Sequence, residues 1–169
     1  MATTTQIVRG GIRSKGDVRV FHTGEVSPTT TTTGTDTTPA TTVTYFARVF
    51  VPVNALLTGV SLLNGSAVAG NVTAILYDAD GVALATSAST AQSGTAAFQA
   101  FPFSTAIDVQ GPGRYWVAFQ FSSTSARFRT HTLGVFPTGS ATGGTYGTIP
   151  AITPTTTFTT AVGPVASTY

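Results

Sequence analysis

The chain has 169 residues, enough for one ordinary domain with a real core and too few for two of comparable size. Only 8% of it is charged, with 8 Lys plus Arg against 6 Asp plus Glu for a net charge of +2; this excludes a strongly basic nucleic-acid surface and leaves an exterior of hydroxyls and small side chains. Cysteine is absent, which excludes a disulfide framework, a thiolate metal site and a cysteine nucleophile, and no window approaches the roughly 18 apolar residues of a membrane span.

The opening stretch MATTTQIVRGGIRSK lacks the apolar segment of a secretory signal, so conventional export is not expected. Met1 to Glu25 carries Arg9, Arg13, Lys15 and Arg19, half of all the cations, against Asp17 and Glu25. Short apolar pairs, Ile7-Val8 and Val18-Arg19-Val20-Phe21, interrupt it. Two readings stand side by side. One is a flexible, solvated tail with one short strand; the other is an arm that lies on an acidic neighbouring surface or adds a strand to a partner's sheet edge. Nucleic acid is not expected as a partner, because the interleaving of aromatic and basic residues that such sites use is thin. Ser27 to Thr42, SPTTTTTGTDTTPATT, is low-complexity and bounded by Pro28 and Pro39, and reads as a linker or long surface loop. The expected organisation is therefore a basic arm and Thr/Pro-rich linker over 1–42 and a β domain over 43–169.

Strands begin at Val43. Tyr45, Ala47, Val49 and Val51 alternate with Phe46, Arg48 and Phe50, both sets largely apolar, which predicts a strand buried on both faces. Ala55 to Gly65 gives a second strand ending in the turn signal Asn64-Gly65. Asn71 to Ser87, NVTAILYDADGVALATS, holds the clearest signal: two alternating runs separated by Asp78-Ala79-Asp80-Gly81 predict a β-hairpin. In AAFQAFPFS, Phe98, Phe101 and Phe103 supply bulk while Pro102 predicts an edge strand or a bulge. Gly111-Pro112-Gly113 turns the chain into GRYWVAFQFS, with Tyr115, Val117, Phe119 and Phe121 on one face and Trp116, Ala118 and Gln120 on the other. ARFRTHTL alternates Phe128, Thr130 and Thr132 with Arg127, Arg129 and His131, which puts three possible cations on one solvent face. From Gly134 on, glycines and prolines punctuate short segments; one or two more strands are expected, chiefly at Thr155 to Val162, with GPVASTY packing back on the domain or on a neighbour. No amphipathic helix and no internal repeat is visible. The result is an all-β chain of about eight to nine antiparallel strands in a jelly-roll sandwich with an extended N-terminal arm.

Chemistry is sparse. The six carboxylates are scattered over the arm, the linker and the turns, without the fixed pair that glycoside hydrolysis needs. Asp78-Ala79-Asp80-Gly81 has a faint likeness to a calcium loop, but Val82 and Ser89 occupy ligand positions, so a turn is the plainer reading and no metal is expected. His22 and His131 lie far apart and no G-x-S-x-G elbow occurs, so no hydrolase triad is expected. The Gly139 to Gly147 stretch lacks a phosphate-binding Lys. Trp116, Tyr115 and Tyr77 admit a sugar-stacking reading, although an aromatic in an alternating strand is more often core.

Several phrases resemble a family: TYFARVFVPVNALLTGVSLLNG, the pair ILYDADGVALATS and GPGRYWVAFQFSSTSARFRT, and GGTYGTIPAITPTTTFTTAVGPVASTY. Together they look like jelly-roll structural proteins of tailed bacteriophage virions, capsid-decoration (cement) or minor structural proteins, over roughly Val43 to Tyr169. The resemblance implies a non-enzymatic virion protein on the outer capsid surface, where hexamers and pentamers meet. It implies the major capsid protein as partner, a homotrimer, no cofactor and no membrane contact. Arg9, Arg13, Lys15, Arg19, Arg127 and Arg129 are the candidate partner-binding residues. The alternative is a tail or head appendage that binds a surface glycan.

Overall fold

Runs of alternating apolar residues joined by glycine, proline and aspartate turns leave the backbone one regular option, and the computed structural model takes it. The structure describes residues 20–24, 34–132, 134, 136–142 and 145–169. Among these there is no helix, and all strand pairings are antiparallel. In chain order the strands are β1 Phe21–His22, β2 Thr35–Thr37, β3 Val43–Val51, β4 Ala55–Leu63, β5 Asn71–Tyr77 and β6 Ala83–Thr86. They continue as β7 Thr90–Ala91, β8 Phe98–Val109, β9 Gly113–Phe121, β10 Phe128–Thr130, β11 Thr138–Thr142 and β12 Ala166–Thr168. Among the described residues twelve strands thus stand where about eight to nine were expected. Five of them have only two or three residues, too few for an alternation to register in the sequence.

One sheet runs β1-β12-β4-β8 and the other β11-β3-β9-β5-β6, with β7 also on β5 and a small β2-β10 ribbon beside them. A single apolar cluster joins the two sheets: Val49, Leu76, Val117, Phe119 and Phe121 from one meet Val60, Leu62, Phe101 and Ala166 from the other. This packing is consistent with a β-sandwich. Phe101 and Phe119 meet edge-on across it with ring centres 6.0 Å apart, and burying each ring contributes roughly 2–3 kcal/mol.

The second sheet is covered on its other face too. Phe46, Ile75, Tyr77, Trp116 and Ala118 form a separate apolar cluster there, closed by Ile152. Ile152 belongs to an irregular strap, residues 145–158, held to the sheet by side chains. Gln120 donates to the Thr148 carbonyl and accepts from the Gly147 amide, Tyr77 Oη donates to the Pro150 carbonyl at 2.9 Å, and the Ile152 amide donates to the Gly81 carbonyl. Strand β3 is buried twice at Phe46, whereas Phe50 on the same face is 39% exposed.

The hairpin over Asn71–Ser87 forms as β5 and β6. Gly81 takes φ +86°, and Asp78 Oδ1 accepts from the Asp80 and Val82 amides to close the turn. Pro102 lies on β8, at the end of its sheet and beside a register shift opposite Leu57/Gly59, so both of its expected features occur together.

Two expectations, the strand at Thr155–Val162 and the turn at Asn64-Gly65, need correction. Thr155–Val162 is not a strand; the late strands are β11, and β12 within the closing GPVASTY. That closing segment does pack back on the domain: β12 lies between β1 and β4 with Ala166, Ser167 and Thr168 all fully buried. Asn64-Gly65 ends β4 without a tight hairpin: Asn64 is buried, and its amide donates to the Ser93 and Gly94 carbonyls and to Gln99 Oε1 while accepting from Gln92 Nε2. Before residue 43, β1 pairs with β12 and β2 with β10.

Candidate partner-binding surface

Arg127 and Arg129 flank Phe128, whose ring is buried against Tyr45 and Phe121 at 5.0 and 4.7 Å between centres. That anchoring fixes the strand and turns both guanidinium groups away from the core. β2 pairs alongside in the register Arg129↔Asp36, which brings a carboxylate to the two cations. The Arg129 Nε to Asp36 Oδ1 separation is 3.9 Å, and Arg129 Nη1 donates to the Gly34 carbonyl at 3.4 Å. Ser66 completes the cluster by donating its amide and its hydroxyl to the two Asp36 oxygens. Burial by itself would raise the Asp36 carboxyl, but the Ser66 hydrogen bonds together with Arg129 and Arg127 hold it below the ordinary carboxylate range. Two guanidinium groups against one carboxylate leave this cluster with a single net positive charge, and both arginines are half-buried.

The third expected cation of that face is not one. His131 lies past the end of β10, mostly buried, with its ring edge-on to Phe136 at 4.7 Å, and burial lowers its pKa from 6.5 to about 4. The ring is neutral at pH 7. Arg9, Arg13, Lys15 and Arg19 lie outside the described residues, so the structure brings together only Arg127 and Arg129 of the six candidates.

His131 has a partner that sequence reading missed. Its Nε2 lies 2.9 Å from Thr23 Oγ1, a hydroxyl–imidazole pair of the kind nucleophilic catalysis uses. The proton inventory argues against that role. Thr23 Oγ1 has one proton and lies 2.9 and 3.1 Å from the Pro164 and Ala166 carbonyls, while it accepts from the Ala166 amide at 2.9 Å. Two carbonyls thus compete with His131 Nε2 for that proton, and the direction of the hydroxyl–imidazole bond follows the tautomer. Thr23 is 1% exposed. The pair is a clasp that ties the end of β1 to the segment after β10, while Thr23 also bonds the segment entering β12.

The aromatic candidates for sugar stacking are all inside. Tyr77 is fully buried and its hydroxyl is pushed up to about 12 by that burial. Trp116 is 4% exposed and packs edge-on against Phe46 at 5.4 Å. Tyr115 Oη donates to the Gln110 carbonyl and accepts from the Gln110 amide, bracing the turn before β9. Among the described residues no three His, Asp or Glu side chains come together as metal ligands.

What the described surface offers is broad and weakly charged: exposed Ser, Thr and Ala on the strands, and open strand edges. Searches of protein-family models, of curated proteins and of solved structures found no match to this chain.

Proposed function

We propose that this chain is a bacteriophage virion structural protein, a capsid decoration or cement protein. In this reading it is a jelly roll that binds the assembled major-capsid lattice as a homotrimer on the outer capsid surface. The observation that carries the reading is the nesting of strand pairs. Take β1, β3, β4, β5, β6, β8, β9 and β12 in chain order as eight strands. The first pairs with the last, β1–β12; the second with the seventh, β3–β9; the third with the sixth, β4–β8; and the fourth with the fifth, β5–β6. A long hairpin rolled on itself produces this nesting, which is how a jelly roll is built.

The surface supports an adhesive role. The aromatic side chains that a ligand site would use are core, Arg129 is paired with Asp36, and the exterior is rich in small hydroxyl residues suited to a wide contact. The mechanism is mass action: a protein that binds only the assembled lattice stabilises that lattice by its binding free energy. Purified full-length chain added to phage heads lacking it should bind in stoichiometric, saturable fashion and raise the temperature at which the heads rupture. Heads that neither take up the chain nor gain heat resistance would defeat the proposal.

A further inference from the structure

The turn from β3 to β4 carries the chain from one sheet of the sandwich to the other, and its two arms face opposite sides of the domain. Val49 and Val51 enter the shared core from β3, and Ala55 and Leu57 enter it from β4. Alternation therefore turns Phe50 out of one sheet and Leu56 out of the other. Phe50 is 39% and Leu56 40% exposed, and Val53 at the turn between them is 42% exposed. Six large apolar side chains are exposed among the described residues, and this one turn holds half of them. Scattered singly they would need no explanation; gathered on one tip they mark a contact surface. The tip is also braced. Asn54 Oδ1 accepts from the Gly111 amide, Tyr115 Oη bonds both ways to Gln110, and a Cβ at Gly111 would strike the Val53 backbone. The two neighbouring turns are thus packed together before any partner arrives, which lowers the ordering cost of binding.

Each side of the tip carries one charge beside its apolar residue. Phe50 stands opposite Arg114 in the β3–β9 register, and Leu56 opposite Asp108 in the β4–β8 register; all four are exposed. One face presents an aromatic ring with a cation, the other an aliphatic side chain with an anion. We propose that these faces are the two halves of one interface: the Phe50–Arg114 face of one copy docks on the Leu56–Asp108 face of a second copy, with Val53 toward the common axis. Complementarity singles out that occupant. A partner for the first face must offer an apolar side chain beside a carboxylate, and the chain's own opposite face does so. A carboxylate has about four acceptor sites, so a contact of Asp108 inside its own chain leaves room for a neighbour's guanidinium. Because the joined faces differ, the contact is heterologous, and it closes into a ring such as a trimer when the rotation permits. The inference rests on the homotrimer element of the proposed function and deepens it by naming the surfaces.

The test uses free full-length chains, so capsid binding is judged separately. Light scattering should give three times the 17.2 kDa chain mass for the native protein, and Arg114→Asp or Asp108→Arg alone should reduce it to that of one chain. Placed together in one chain, the two substitutions recreate the pair with its signs exchanged and should restore the multimer; no restoration would overturn the pairing of these charges. Because the chain has no cysteine, Phe50→Cys and Leu56→Cys variants report without background. Mixed and mildly oxidised, they should yield a disulfide-linked pair of chains joined through positions 50 and 56, identified by peptide mass. A native multimer that survives both charge reversals and gives no such cross-link would overturn these surfaces and leave the homotrimer standing. A native chain that stays at 17.2 kDa in solution would overturn the inference and the homotrimer together. Loss of capsid occupancy by Phe50→Lys in such a single chain would assign the face to the capsid protein instead.

Discussion

Acidification should weaken this fold through His131, and the size of the effect follows from its surroundings. Folding holds the imidazole neutral beside Thr23 and Phe136, with its pKa lowered by burial from 6.5 to about 4. Between those values the unfolded chain binds a proton that the folded chain does not, so stability falls as pH falls, by at most about 1.4 kcal/mol per pH unit. The contribution is fully present above pH 6.5, declines through the interval and is flat below pH 4. Its upper bound is roughly 3 kcal/mol, reduced by whatever water reaches the ring. Asp36 does not confuse the reading: its carboxyl is held below its ordinary value, so its contribution persists above pH 3.8 and is lost only as pH falls through the lower folded value. The assay is urea unfolding between pH 7 and 4.5 for the native chain and for His131→Gln, which keeps an N–H for Thr23 but does not titrate. The native chain should lose more stability over this range than the variant. Identical pH dependence in the two proteins would refute the buried-imidazole account.

Asn64→Ala should cost about 2–4 kcal/mol, because it removes the donor to the Ser93 carbonyl and to Gln99 Oε1 and one of the acceptors of Gln92 Nε2; a loss under about 1 kcal/mol in urea unfolding would mean the loops are not held by this hub. Tyr77→Phe should cost about 1 kcal/mol and speed hydrogen exchange in the strap, since it removes the Pro150 contact; unaltered exchange over residues 145–158 would contradict that. Gly81→Ala should destabilise by about 1–3 kcal/mol, because φ is +86° and a Cβ there meets the Ile152 carbonyl. A neutral Gly81→Ala would show that the turn and the strap are free to shift.

Legibility in the sequence tracked the length of each element. Strand β9 has nine residues, enough for its two faces to separate by period 2, and the structure places Val117 and Phe119 in one cluster and Trp116 and Ala118 in the other. The Asp-Gly hairpin and Pro102 were readable because their constraints are local. Strands β1, β2 and β12 were not, since pairing between residues 21–22 and 167–168 leaves no local trace. The strap escaped notice because it is bound by Gln120 and Tyr77 to main-chain carbonyls and has no period. Asn64-Gly65 misled for a related reason: an asparagine suited to turns is equally suited to a buried hub, and only tertiary context decides. At the candidate surface, alternation correctly put Arg127 and Arg129 together but could not show Asp36, some ninety residues away, arriving on β2. The Thr23–His131 clasp was hidden in the same way, its members 108 residues apart.

The most direct test of capsid binding is cryo-electron imaging of phage heads saturated with the full-length chain. The account predicts β-sandwich density on the outer shell where capsomers meet, in three-fold groups that repeat over the whole lattice. Shells left bare, or density confined to the tail, would contradict it.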